Sequence, residues 1–315
     1  MLRVALFGSG WIMDFHARGV NEHPGAELVA AANWREPSMA ALAERHGIPR
    51  TTVRWEELVA DPDIDAVVIG TPNALHAPQA IACLEAGKHV LVEKPMARTL
   101  AEAQAMNEAA RGSAGRLMVA HCWRFHADVR ALRARVEAGE LGAIVKTRGY
   151  GIHAAWGPKG WFVDPQLAGG GALLDMGVHA IDTARFLLGD PEPARVCAAI
   201  GRRYGEYAVD DDGILLISWD NGVSSVVESG WWQPHLAGLE ADTELYGTGG
   251  YGRVWDFTEG PPGYEHCAQP MYSAQMAEFI DACAEGRQPL PSGEDGAVVM
   301  RIVDEAYHSA GWTPA

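Results

Sequence analysis

The chain has 315 residues, of which 48% are hydrophobic and 21% charged, ordinary globular usage that excludes a disordered or fibrous protein. Forty-one acidic against twenty-five basic residues give a formal charge of −16, so neither nucleic acid nor an anionic membrane surface is an expected partner. The length suits two domains of about 100–200 residues, and five cysteines without a C-x-x-C pair, no signal-peptide pattern and no membrane-length apolar run point to a cytoplasmic protein.

The first 120 residues alternate short apolar runs with helix-period segments. "RVALFG", "AELVAAAN", "DAVVIGT", "HVLVEK" and "RLMVAH" predict strands buried on both faces, with amphipathic helices between them. Such a βαβ series predicts an α/β fold whose residues 1–121 form a Rossmann-type, doubly wound parallel sheet, binding ligands beyond the carboxyl ends of its strands. "LFGSGWIMDFH" follows the first strand and opens a helix, the context a dinucleotide fingerprint needs. Gly8 suits the tight turn and Gly10 the close approach of a pyrophosphate, so Gly8, Ser9, Gly10, Trp11 and Ile12 are candidate cofactor residues. Met13 stands where a third small residue is usual, which predicts a wider helix–strand contact. The second strand ends in "AANWRE": Asn33 occupies the place of the carboxylate that grips the ribose of NAD, followed by Trp34 and Arg35. An arginine there suits the 2′-phosphate of NADP, so NADP(H) is favoured over NAD(H).

"GTPNALH" then brings Thr71, Pro72, Asn73 and His76 to one strand end, and "VLVEKP" brings Glu93, Lys94 and Pro95 to the next. Lys94 is one of four lysines beside twenty-one arginines. An ammonium exchanges a proton where a guanidinium does not; the alternative is a solvated lysine at a strand-to-turn boundary.

After about residue 126 the pattern changes. "ADVRALRARVEAG" predicts a helix, and "AIVKTRGYGIH" alternates with the period of a strand. "GGGALLDMGVHAID" predicts an apolar helix ending near Gly189, yet it carries Asp175 and His179, four apart and so on one face. "ARVCAAI", "GILLISW", "VSSVVES", "TELYGT" and "GRVWDF" follow with tight turns, predicting a mostly antiparallel sheet. "EGPPGYEHCAQP" suggests a mobile loop, and two helices near 272–285 and 294–311 close a second domain over 122–315.

Taken together, "GSG", "TPN", "EKP" and "GGGALLDMGVHAID", in that order, resemble the Gfo/Idh/MocA oxidoreductases over essentially the whole chain, including "PLPSGEDGAVVMRIVDEAYHSA". The resemblance implies hydride transfer between a nicotinamide and a hydroxyl or ketone of a sugar, cyclitol or related polyol. It also implies a C-terminal α/β domain with a large open-faced sheet that assembles homodimers or homotetramers. Residue by residue it implies Lys94, Asp175 and His179 as the catalytic group, with Thr71, Pro72, Asn73 and Glu93 lining the cofactor; His76 and Lys94 join them as cofactor candidates. Members of the family often have asparagine where this chain has Cys122, a departure that bears on a cofactor contact. Trp123 and Arg124, and then His153, Trp156 and Trp161 of "HAAWGPKGWFVDP", are candidate substrate residues, since an indole covers the C–H face of a sugar ring. His179, with an imidazole pKa of about 6.5, suits proton exchange near neutrality, and Asp175 suits its orientation. Whether Lys94 or His179 is the primary base stays open, and no metal site is expected. Two alternatives accompany this: a tightly bound cofactor assisting elimination or glycoside cleavage without net redox, and a dinucleotide-sensing regulator, against which the Lys94, Asp175 and His179 set speaks.

Overall fold

The structure, a computed structural model, describes residues 1–234, 240–255 and 268–313. The loop expected over 259–270 lies mostly outside the described residues. The chain divides into two compact units, Met1–Cys122 with Ala268–Ala297, and Trp123–Cys267 with Val298–Ala315. No described helix is long and apolar enough to cross a membrane.

In the first unit β1 (Leu2–Phe7), α1 (Trp11–Glu22), β2 (Ala26–Ala32), α2 (Glu36–His46), β3 (Thr51–Thr52), α3 (Trp55–Val59), β4 (Ala66–Ile69), α4 (His76–Glu85), β5 (His89–Glu93), α5 (Leu100–Arg111) and β6 (Leu117–Ala120) succeed one another. Their six strands form one parallel sheet in the order β3-β2-β1-β4-β5-β6. Strands β4 and β6 are buried along their whole length, which is why they read as unbroken apolar runs rather than alternating ones. The order grows outward in both directions from the β1/β4 pair. Right-handed crossovers therefore send helices to opposite faces on the two sides of that pair: α1 packs with α2, and α4 with α5. The two-residue β3, too short to show any period, is the strand that sequence patterning does not register.

The second unit holds α6 (Ala127–Glu137), β7 (Ile144–Ile152), α7 (Pro165–Ala168), α8 (Val178–Leu187), β8 (Pro193–Gly201), β9 (Asp212–Trp219), β10 (Ser224–Gly230), β11 (Ala241–Gly247) and β12 (Tyr251–Arg253). Its sheet runs β12-β11-β7-β10-β9-β8. Only β7 and β10 are parallel neighbours; the other pairs are antiparallel. Helix α8 lies against β7, β10 and β11. Along β9, Leu215, Ile217 and Trp219 are buried while Ile214 and Leu216 remain 52% and 49% exposed. The sheet therefore has one covered face and one open face.

Two helices close the chain, α9 (Gln269–Glu285) and α10 (Gly293–Ser309). The sequence pattern assigns everything after residue 121 to the second domain, but residues 268–297 belong with the first unit. Packing explains the difference. Gly19 of α1 admits Met276 of α9 so closely that a Cβ on Gly19 would lie 3.0 Å from the Met276 Cβ, and the Phe15 and Tyr272 rings meet at 4.7 Å. Beyond α9 the chain runs along the free edge of β6, where Val119 donates to the Pro291 carbonyl at 3.1 Å and Gln288 donates to that of Leu117 at 2.7 Å.

Candidate active site

At the carboxyl end of β1 the backbone of Gly8 has φ +111°, and a Cβ there would lie 2.5 Å from the Gly70 carbonyl oxygen. Glycine is required on both counts. Around Gly10, by contrast, nothing lies within 4 Å of where a Cβ would stand, and α1 starts on Gly10 without a side-chain cap. The Met13 N–H closes the first turn onto the Gly10 carbonyl at 2.9 Å, and the open space beside Gly10 lets an anion such as a pyrophosphate approach this helix start. Met13 turns its side chain toward the end of β4. Its sulfur occupies the space a side chain at residue 70 would need, 2.3 Å from a Cβ built on Gly70. The missing small residue of the fingerprint is supplied by the end of β4.

At the end of β2 the Asn33 amide donates to the Ser9 hydroxyl, which is 2.7 Å from that of Ser38. The Arg35 guanidinium lies 4.6 Å over the Trp34 ring, and both residues are exposed. A neutral hydrogen-bonding cluster and one cation stand where a carboxylate would have excluded a phosphate. These residues fit a dinucleotide.

The next two strand ends are tied together. The His76 ring reaches the Pro95 carbonyl and the Thr71 carbonyl, each at 2.9 Å, while the Thr71 hydroxyl donates to Gln79 at 2.8 Å. Burial holds the His76 pKa below its ordinary value, so the neutral ring donates to one carbonyl at a time. Its engagement with these carbonyls differs from the direct cofactor contact expected; His76 fastens the Thr71 turn to the Lys94–Pro95 turn. Asn73 is buried beside it, and Pro72 and Lys94 are half-buried. One Glu93 oxygen meets His16 at 2.8 Å and the other accepts from the Lys94 backbone at 3.0 Å. Burial pushes the Glu93 carboxyl up, but His16, the Lys94 charge and that backbone donor outweigh it and hold it below the usual carboxylate range. His16, unremarkable in sequence, thereby locks the strand end that carries Lys94. At the end of the following strand Cys122 lies 3.9 Å from the Tyr272 hydroxyl.

In the second unit "GGGALLDMGVHAID" is not one α-helix. Leu173–Gly177 form a π turn, and α8 begins at Val178. The glycines explain this. A Cβ on Gly170 would lie 2.3 Å from the Tyr307 hydroxyl, and one on Gly171 1.8 Å from the Asp210 carbonyl. The Asp210 carboxylate itself accepts from the backbone of Gly171 and Leu173 at 2.8 Å and from Tyr307 at 2.7 Å. Gly151 of β7 passes under the Met176 carbonyl, and Gly177 meets Leu173 and Ser229 of β10. Pressed onto the sheet on two sides and anchored at its start, the segment accommodates one wider turn, a feature frequent at functional sites.

That turn carries Asp175, whose carboxylate accepts from the Trp231 indole at 3.0 Å and meets His153 Nε2 at 3.3 Å. His153 Nδ1 is 3.3 Å from Glu240, and Trp156, donating to Glu240 at 2.5 Å, stacks on the His153 ring at 3.7 Å. With both nitrogens engaged and 2% of its surface exposed, His153 does not present the substrate-facing edge expected of it. Arg124 differs likewise: it grips Asp182 through Nε and Nη2 at 2.7–3.0 Å and Asp190 at 2.9 Å, a buried ion pair rather than a substrate contact. Trp161 stacks on Phe162 at 3.9 Å. Trp123 does border a pocket, which His179, Tyr150, Thr183, Asp242 and Trp255 also line. Burial raises the Asp242 pKa against the pull of its Arg253 partner. Tyr150 lies in β7, and Trp231, Glu240 and Trp255 lie just beyond the ends of β10, β11 and β12, with no local motif; only the Trp231–Trp232 doublet hints at them. Among the described residues no group of three or more His, Cys, Asp or Glu side chains is placed to hold a metal.

The profile of the Gfo/Idh/MocA oxidoreductase family with its NAD-binding Rossmann fold matches residues 2–121, and that of the Gfo/Idh/MocA C-terminal domain matches residues 129–252. The chain belongs to the Gfo/Idh/MocA family. As a member it is an oxidoreductase that binds a nicotinamide dinucleotide. This Gfo/Idh/MocA chain is 33% identical, over 94% of its length and 92% of the relative's, to the 1,5-anhydro-D-fructose reductase of Ensifer adhaerens. It is 32% identical, over 90% of each chain, to a D-xylose 1-dehydrogenase (NADP(+)) of Haloferax volcanii. Among solved structures, levoglucosan dehydrogenase in complex with NADH and levoglucosan superposes with a TM-score of 0.86 at 29% identity, over 98% of this chain and 97% of the other.

Proposed function

We propose that this Gfo/Idh/MocA enzyme is a dehydrogenase or reductase acting on a hydroxyl or ketone carbon of a sugar, cyclitol or related polyol. The observation that carries the substrate class is the likeness to sugar-acting relatives over nearly the whole chain; a small pocket bordered by Trp123, Trp255, Tyr150 and Thr183 lies beside His179. The three relatives named above all carry sugars or anhydrosugars in their names, which supports the same class. A bound nicotinamide supplies or accepts the hydride; the chain has to handle one proton and hold the reacting carbon still. His179 takes or returns that proton, Asp175 steadies the charged imidazole, and Lys94 donates a hydrogen bond to the substrate oxygen. These roles rest on the family resemblance.

For the cofactor, Asn33, Ser9, Ser38 and Arg35 support NADP(H) over NAD(H): a neutral amide stands at the end of β2 in the place of a carboxylate, and an exposed guanidinium is at hand. A panel of D-xylose, levoglucosan, 1,5-anhydro-D-fructose and myo-inositol, read by nicotinamide absorbance with both cofactors, is expected to show turnover with at least one and tighter binding of NADP⁺. Arg35→Ala is expected to remove about tenfold or more of NADP⁺ affinity, the scale of a hydrogen bond to a charged group, and to leave NAD⁺ unaffected. No turnover on any of these, or NAD⁺ bound about tenfold more tightly than NADP⁺, contradicts the assignment.

The described cysteines form no disulfide, which supports a cytoplasmic location. The open face of the second sheet, with Ile214 and Leu216 exposed, supports assembly as a homodimer or homotetramer through that face. An Ile214→Asp/Leu216→Asp variant is expected to sediment as a monomer with an unchanged far-ultraviolet spectrum; an unchanged sedimentation coefficient contradicts this interface.

A further inference from the structure

We propose that His153 is a positioning residue, an imidazolium clamped between Asp175 and Glu240 that keeps Asp175 ionised and correctly aimed. The inference rests on the assignment of Asp175 to catalysis. Three neighbouring strands build the clamp: β7 ends one residue before His153, β10 ends one residue before Trp231, and β11 begins one residue after Glu240. The backbone fixes their register, since His153 donates to the Gly230 carbonyl at 2.9 Å and Ile152 to that of Glu240 at 2.8 Å. Adjacent strands therefore deliver a donor, a potential cation and a carboxylate to one end of the sheet, against the π turn.

The chemistry assigns the charge. A neutral imidazole has one N–H, so one of its nitrogens would turn a lone pair toward a carboxylate; the cation donates from both. Burial opposes that cation, but the hydrogen bonds to Asp175 and Glu240 and their charges outweigh it, and the His153 pKa is raised. Stacked Trp156 adds a π face at 3.7 Å. Without the cation, Asp175 and Glu240 would be two carboxylates with 11% and 8% of their side chains exposed, and one of them would take up a proton. Glu240 Oε2 is buried with no hydrogen-bond partner among the described residues, so His153 and Trp156, both on Oε1, are the contacts that hold this carboxylate in place. Trp231 and His153 both reach Asp175 Oδ2, the indole from one strand end and the imidazole from the next.

The test is a double-variant cycle of H153Q and D175N, with kcat, KM and NADP⁺ Kd measured on the best substrate of the panel above. D175N and H153Q are each expected to lower kcat by about tenfold or more, and the double variant is expected to be no slower than D175N alone, because groups that act as a unit are non-additive. KM for the sugar and Kd for NADP⁺ should move by less than about threefold in H153Q, which a substrate contact or a general loss of packing would not allow. Effects that multiply in the double variant, or an H153Q enzyme with wild-type kcat, overturn the proposal while D175N remains impaired. A fully active D175N overturns the role of Asp175 as well. E240Q loosens the clamp from its far end and serves if H153Q does not fold. It is expected to slow the wild type and to leave D175N unchanged; an equal slowing in both backgrounds overturns the clamp.

Discussion

Alanine at Lys94 or at His179 is expected to lower kcat by about a hundredfold or more, within the range of about 10²–10⁴ that general acid–base groups contribute. The dissociation constant of the oxidised cofactor should change far less in either variant, because the pyrophosphate site at the start of α1 and the cluster around Asn33 are untouched. Lys94 is also fastened through its backbone, by Glu93 and His16, so truncating its side chain removes the ammonium without releasing the turn. The pH profile separates the two roles. The variant whose kcat no longer falls on the acidic side has lost the base that must be unprotonated for oxidation of an alcohol. Near-normal turnover in both variants would sink the assignment.

Replacing Arg124 by leucine is expected to destabilise the protein by about 3–5 kcal/mol, the scale for breaking a buried ion pair from one side. Asp182, with 1% of its side chain exposed, would lose the guanidinium that grips it, and Phe186 would lose one of the two guanidinium groups near its ring, at 5.2 Å and 4.7 Å. Urea unfolding with R124L, D182L and R124L/D182L measures this, and the double variant should regain most of the loss because the charge is then gone. A substrate-facing arginine predicts the opposite pattern, a raised KM with little change in unfolding midpoint.

The contrast shows where sequence stops. Patterning registers what one element says about itself: β1, β4, β5 and β6 are buried runs, α8 carries an acid and an imidazole, and Gly8 stands where a turn must be left-handed. The doubly wound sheet and the mixed second sheet follow from those signals, and the motif order points to the Gfo/Idh/MocA family. What patterning misses is partnership across distance. Nothing near Arg124 in the sequence announces Asp182, fifty-eight positions away, and nothing near Asp175 announces Trp231 or Glu240. The π turn is hidden for the same reason: the glycines of the segment are visible in the sequence, but the Asp210 carbonyl, Ser229 and Gly151 that the segment meets are not. Residues 268–297 read as ordinary amphipathic helix, and which unit they cover is set by contacts far away in sequence, at Gly19, Phe15, Leu117 and Val119.

The Met13–Gly70 contact bears on how such glycine loops are read. Three small residues in a row are usually treated as a property of the loop, yet here the loop holds a large thioether and the next strand end gives up its side chain. In this chain the gap between the helix and the strand end is filled from the helix side, by Met13 against Gly70. The close approach can be met by a small residue on the helix or by an empty position opposite. Searches that score both sides of the gap together would accept chains that a loop-only pattern rejects, and exchanges at residues 13 and 70 should be tolerated in pairs more readily than singly.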